Sequence, residues 1–123
     1  MRSDRYLTKP EQYETVHTHG RSFADGPVLM KSVRNGLQCS RYGFSVGRRV
    51  GKAVTRNRVK RRLREVMRPK TLTPGWDIVF IARASAAESG FATLKRSIDN
   101  VLARAGLLAG NEVETARDVI DRG

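Results

Sequence analysis

The chain has 123 residues, 39% hydrophobic and 29% charged, with 24 Lys and Arg against 12 Asp and Glu, net charge +12 and a pI near 11.0. That length and balance suit one folded domain with a single modest core, and they favour it over a disordered chain. No apolar run approaches the roughly 20 residues of a membrane span. The opening Met1-Arg2-Ser3-Asp4-Arg5-Tyr6 lacks a secretory apolar stretch, and the lone Cys39 excludes an internal disulfide, so a reducing cytoplasm is expected.

In chain order, Thr8-Lys9-Pro10-Glu11 reads as a capping box, which predicts a short helix from about 9 to 19 with Gly20 just past its C-cap. Tyr13 and His17, four apart, share a face of that helix. Residues 21–24 predict a short strand broken by Asp25-Gly26-Pro27, and 28–34 a second, followed by an Asn35-Gly36 turn signal. Residues 41–47 alternate, with Tyr42, Phe44 and Val46 on one side and Gly43, Ser45 and Gly47 on the other. One side packs a core. The other is nearly bare, leaving room for a chain to lie flat beside Tyr13 as a stacking platform.

Residues 52–68 predict a helix stopped by Pro69, with Val59, Leu63, Val66 and Met67 as its apolar stripe. Arg58, Lys60, Arg61, Arg62, Arg64 and Arg68 fall off that stripe, and Arg56 lies a turn before it. Trp76 to Ala82 is apolar on both faces, which predicts a central buried strand. Phe91, Leu94, Ile98, Val101, Leu102 and Ala105 mark a last helix ended by Gly106. The order predicts an α/β sandwich, α+β in class, with three helices and a mixed sheet of about four strands. The strands at 41–47 and 76–82 are expected to be parallel. One domain is expected over 1–108, with 109–123 an acidic, flexible tail.

Charge carries the functional signal. Between Arg48 and Lys70 stand eleven basic residues and one acid, Glu65, a local charge of +10. Solvated helix faces interleave both signs; this one does not, and it calls for a polyanion. A membrane surface is the weaker candidate, since the apolar residues of the stretch are too few and small for an insertion face. Arginine outnumbers lysine there, and its planar fork suits phosphate. No chemistry of the chain's own stands out. The acids are scattered, His17 and His19 are two apart rather than four, and Gly43-Phe44-Ser45-Val46-Gly47 sits inside a strand instead of at a nucleophile elbow. Neither a catalytic residue nor a protein metal site is expected.

The run from Arg41-Tyr42-Gly43-Phe44-Ser45-Val46 through Val50-Gly51-Lys52-Ala53-Val54-Thr55-Arg56-Asn57-Arg58-Val59-Lys60-Arg61-Arg62-Leu63-Arg64-Glu65 resembles the signature of the bacterial ribonuclease P protein family. The resemblance extends through Asp77-Ile78-Val79-Phe80-Ile81-Ala82-Arg83 to Leu108. It implies a left-handed β-α-β crossover, against the usual hand. It implies a subunit that binds a catalytic RNA and the 5′ leader of precursor tRNA, the RNA performing hydrolysis with Mg²⁺ held mainly by RNA and substrate phosphates. No membrane and no protein partner is implied.

By motif match, Lys52, Arg56, Arg58, Lys60 and Arg61 would meet the catalytic RNA, with Asn57 orienting the helix start and Arg48, Arg49, Arg62 and Arg64 adding phosphate contacts. The leader would lie along Tyr13, His17, Lys31 and Ser45, although family members usually carry Phe at the position of His17 and often an aromatic at that of Lys31.

Overall fold

The computed structural model describes residues 5–109. Helix α1 (Pro10–His19) leads into β1 (Arg21–Asp25), β2 (Val28–Arg34) and β3 (Arg41–Ser45). Helix α2 (Ala53–Met67) crosses to β4 (Trp76–Ala82), and a 3-10 turn (Ala84–Glu88) precedes α3 (Phe91–Ala105). The strands order as β1-β2-β4-β3, antiparallel except for the β3–β4 pair, so the α+β class and the mixed four-stranded sheet are as expected. The expected acidic tail lies outside the described residues but for Ala109, as do Met1 to Asp4.

Period-2 patterning decides which side of the sheet each residue serves. Val28, Met30, Tyr42, Ile78 and Phe80 face α2 and α3 and close the main core with Val59, Leu63, Val66, Met67, Leu94, Ile98, Val101 and Leu102. Tyr42 sits edge-on to Tyr6, Phe44 and Phe80 at centroid distances of 5.2, 5.6 and 6.5 Å. Burial, reinforced by a hydrogen bond with Tyr6, pushes its phenol up to about 12. Among the described residues, the opposite face is covered by α1 and the segment before it, through a small cluster of Leu7, Val16 and Val79 with Tyr13, Val33 and Ile81 against it. Strand β4, buried on both faces, is the central strand its composition predicts.

Local details differ at the ends of α1. The N-cap is Lys9, not Thr8, and Gln12 replaces Glu11 as the reaching residue: its Oε1 accepts from the amides of Thr8 at 2.7 Å and Lys9 at 2.9 Å. Pro10 at the first helical position moves the start one residue later, because its ring presets a helical φ and needs no amide partner. Gly20 is itself the C-cap, with extended φ of −78°, since β1 begins at the next residue. The strand around residue 44 also ends early, at Ser45 instead of Gly47. On α3, Phe91 lies off the buried stripe at 45% exposure.

Two carboxylates, Asp77 and Asp99, take cations out of circulation. Asp77 accepts from Arg41 Nε at 2.9 Å and Nη2 at 2.7 Å, and from Asn35 Nδ2 at 2.8 Å, tying β3, β4 and the 35–40 loop. Lys70, the last cation of the basic stretch, is buried and pairs with Asp99 on α3, which Lys95 also meets at 2.9 Å. Burial works to raise the Asp99 carboxyl, but hydrogen bonds and charge from Lys70 and Lys95 outweigh it and hold the group below its ordinary value. A lowered folded-state value contributes stability above the unfolded pKa of about 3.9, which is lost as pH falls through the folded value. Urea unfolding should therefore show Asp99→Asn less stable than the parent at pH 6, with the difference shrinking below about pH 4. A difference that persists unchanged to strongly acid pH would count against the pairing.

Candidate RNA interface

Helix α2 stands on its apolar stripe, with Val59, Leu63, Val66 and Met67 all buried. Arg61 and Arg64 are exposed, while Arg58, Lys60 and Arg62 are partly buried along the helix flanks. Arg58 and Arg62 are more constrained than a solvated flank implies: Arg58 Nη2 donates to the Ala87 carbonyl at 3.2 Å and Arg62 Nη1 to the Ser89 carbonyl at 2.9 Å. Arg68 pairs with Glu65 at 2.9 Å, so the one acid of the stretch is spent on the last turn.

The helix start corrects one expectation. Asn57 is exposed and, among the described residues, its side chain makes no hydrogen bond. Arg56 does the tying instead, its Nε donating to the Gly51 carbonyl at 3.1 Å. Gly51 has φ of 147°, a region that disfavours side chains. No acid lies in the first turn of α2, and Lys52, Arg48 and Arg49 are exposed before it. The positive end of the helix dipole thus adds to these charges instead of being offset.

The second candidate group sits on the face covered by α1. Pairing aligns Lys31, Val79 and Gly43 in one row across β2, β4 and β3, and Leu29, Ile81 and Ser45 in the next. Lys31 Nζ donates to the His17 carbonyl at 3.4 Å, which brings two predicted residues together. His17 is exposed; its neighbour Val16 is the buried anchor of the helix. Tyr13 lies directly over Gly43: a methyl group there would collide with the phenol oxygen and the ring. The bare strip at Gly43 is therefore already filled by Tyr13, and the open part of the face begins at Ser45. Burial pushes the Tyr13 phenol up, partly offset by the Phe44 backbone.

Next to Ser45 a shallow cleft of about 440 Å³ is walled by Leu29, Ile81, Arg48, Arg49 and Arg83. Ser45, Arg48 and Arg49 thus share one site that the linear motif had divided between two roles. Leu29, Ile81 and Arg83 escaped the sequence reading of the site. Period-2 counting from Val79 would have put Ile81 and Arg83 on this face. Among the described residues no group of three His, Cys, Asp or Glu side chains could hold a metal ion.

A single cationic helix fixed on a small α+β sandwich, beside a sheet face half covered by one helix, defines a polyanion-binding protein of the RNA-recognition kind. The family model described as ribonuclease P matches residues 1–106. The ribonuclease P protein component of Dehalococcoides mccartyi strain CBDB1 is 42% identical over 116 residues, covering 94% of this chain and 97% of that relative. The solved ribonuclease P protein of Thermotoga maritima superposes with a TM-score of 0.73 at 30% identity, covering 80% of this chain and 96% of that one. That of Staphylococcus aureus gives 0.75 at 26% identity, covering 85% and 98%. The chain belongs to the ribonuclease P protein family, and its role is that of the protein component of this ribonucleoprotein endoribonuclease in tRNA 5′ processing.

The Tyr13–Gly43 contact has a measurable consequence. Gly43→Ala should expel the Tyr13 ring, so Gly43→Ala and Tyr13→Ala should be strongly non-additive in urea unfolding, with a coupling of about 1 kcal/mol. Additive losses would show that the ring does not depend on the bare backbone beneath it.

Proposed function

We propose that α2 and its approach, through Arg48, Arg49, Lys52, Arg56, Arg58, Lys60, Arg61, Arg62 and Arg64, dock the catalytic RNA, while the α1–sheet groove takes the single-stranded 5′ leader of precursor tRNA. The observation that carries the first half is the unbalanced charge of α2. With Glu65 engaged by Arg68, nothing on the helix offsets Arg61 and Arg64, which are exposed to a partner. Neutralising phosphates releases counterions, and this dominates affinity for nucleic acid. Asn57, exposed and uncommitted, is free to hydrogen-bond the RNA in place of orienting the helix.

In the groove, Tyr13 offers a ring edge, and Lys31 and His17 sit side by side at its mouth. Ser45 and the cleft beyond it accept a flexible backbone whose phosphates meet Arg48, Arg49 and Arg83. Lys31 and His17 replace part of the usual aromatic stacking with charge and a smaller ring, which shifts recognition towards the leader backbone. Mg²⁺ belongs mainly to the RNA subunit and substrate phosphates, where it serves hydrolysis; the protein supplies electrostatics and positioning. The setting is the cytoplasm, where precursor tRNA is made; no helix among the described residues is long and apolar enough to cross a membrane.

Replacing Lys60 and Arg61 with Gln should weaken assembly with the catalytic RNA and lower the slope of log affinity against log salt by roughly 1.5. Binding titrations between 50 and 400 mM salt check this, and unchanged assembly would remove α2 from the interface. In the assembled ribonucleoprotein, Tyr13→Ala should reduce affinity for leader-bearing precursor by about tenfold while leaving mature tRNA nearly unaffected. Equal losses for both substrates would place the leader elsewhere.

A further inference from the structure

Arg58 and Arg62 lie four residues apart on one ridge of α2, about 6 Å along its axis. Their acceptors, the carbonyls of Ala87 and Ser89, follow in the same order, so the segment 87–89 runs alongside the ridge in the direction of α2. Phe91 comes two residues later, its Cα within about 7 Å of that of Ser89. It is 45% exposed, one of the few large hydrophobic side chains among the described residues left so open to solvent. A ring left nearly half exposed at the start of α3 forgoes part of the stabilisation its full burial would give. Each arginine commits an N–H to a main-chain carbonyl and keeps the rest of its fork available. Held this way, both side chains lose less freedom on meeting a ligand.

We propose that Arg58, Arg62 and Phe91 form a second contact strip for the catalytic RNA, in which the arginines hold successive phosphates and Phe91 stacks on an unpaired base. The strip rests on the docking role of α2 proposed above and extends it to a different element, the entry to α3. Charge selects RNA over a protein partner, since Arg58 and Arg62 outnumber the one exposed acid of the strip, Glu88, and Glu65 is engaged by Arg68. The ring selects an unpaired base, because bases stacked within an RNA helix present no free face to an aromatic side chain.

The test uses the full chain, the catalytic RNA and a range of salt concentrations. Phe91→Ala should bind the RNA about tenfold more weakly at every salt concentration, with the salt slope unchanged because no charge is removed. Phe91→Leu, which keeps apolar bulk without an aromatic face, should lose as much, and Phe91→Tyr should bind as the parent does. Thermal unfolding of the free proteins sets a temperature at which all are folded. Parental binding by Phe91→Ala or Phe91→Leu, with the Lys60 and Arg61 variants still weakened, would overturn the strip and leave α2 docking intact. Parental binding by every variant would overturn both. A loss seen only in precursor tRNA affinity, with assembly unaffected, would also overturn it, moving Phe91 to the substrate side.

Discussion

Burial of Val59, Leu63, Val66 and Met67 is what allows α2 to exist as a helix at all. Three i, i+4 pairs of like charge (56 with 60, 58 with 62, and 60 with 64) oppose it, at about 0.2–0.5 kcal/mol each. Four fully buried side chains supply about 1.5–3 kcal/mol each, several times more. The core therefore wins easily. Because the stripe is locked inward, the cations have nowhere to go but the flanks and outer surface, and their repulsion persists until a polyanion relieves it. Function here is the residue of an unequal contest between packing and charge.

The same separation of duties runs through the sheet. One face carries two helices and most of the core; among the described residues the other carries α1 as its one helix, with Leu7 beside it. A thinly covered face is a standing opportunity for a ligand. Glycine at position 43 lets Tyr13 settle on the strand, and Ser45 keeps the next stretch low. The groove is thus built by omission of side chains on one strand and by one ring projected from another element.

Internal ion pairs sort the remaining charges. Arg41 and Lys70 are held by Asp77 and Asp99, where they join strands and helices. Their acidic partners come from β4 and α3, 36 residues after Arg41 and 29 after Lys70. Cations of the basic run that lack such partners are the ones left facing outward, so the net charge of the domain is concentrated where binding needs it.

Much of this was legible in the chain itself. Two periods, 2 and 3.6, placed β2, β4, the stripe of α2 and the stripe of α3 almost to the residue, because each pattern reports which side must avoid water. The Arg-Asn-Arg run and its strand and helix context carried the family. What the chain could not state was which distant side chains meet. Lys70 reads like its cationic neighbours until α3 folds against it and brings Asp99. Gly43 reads as empty space until Tyr13, thirty positions earlier, fills it. Arg58 and Arg62 read as free until the 3-10 turn supplies carbonyl acceptors. Periodicity is a local record of burial, whereas pairing of charges and occupation of a groove are decided only when separate elements share one volume.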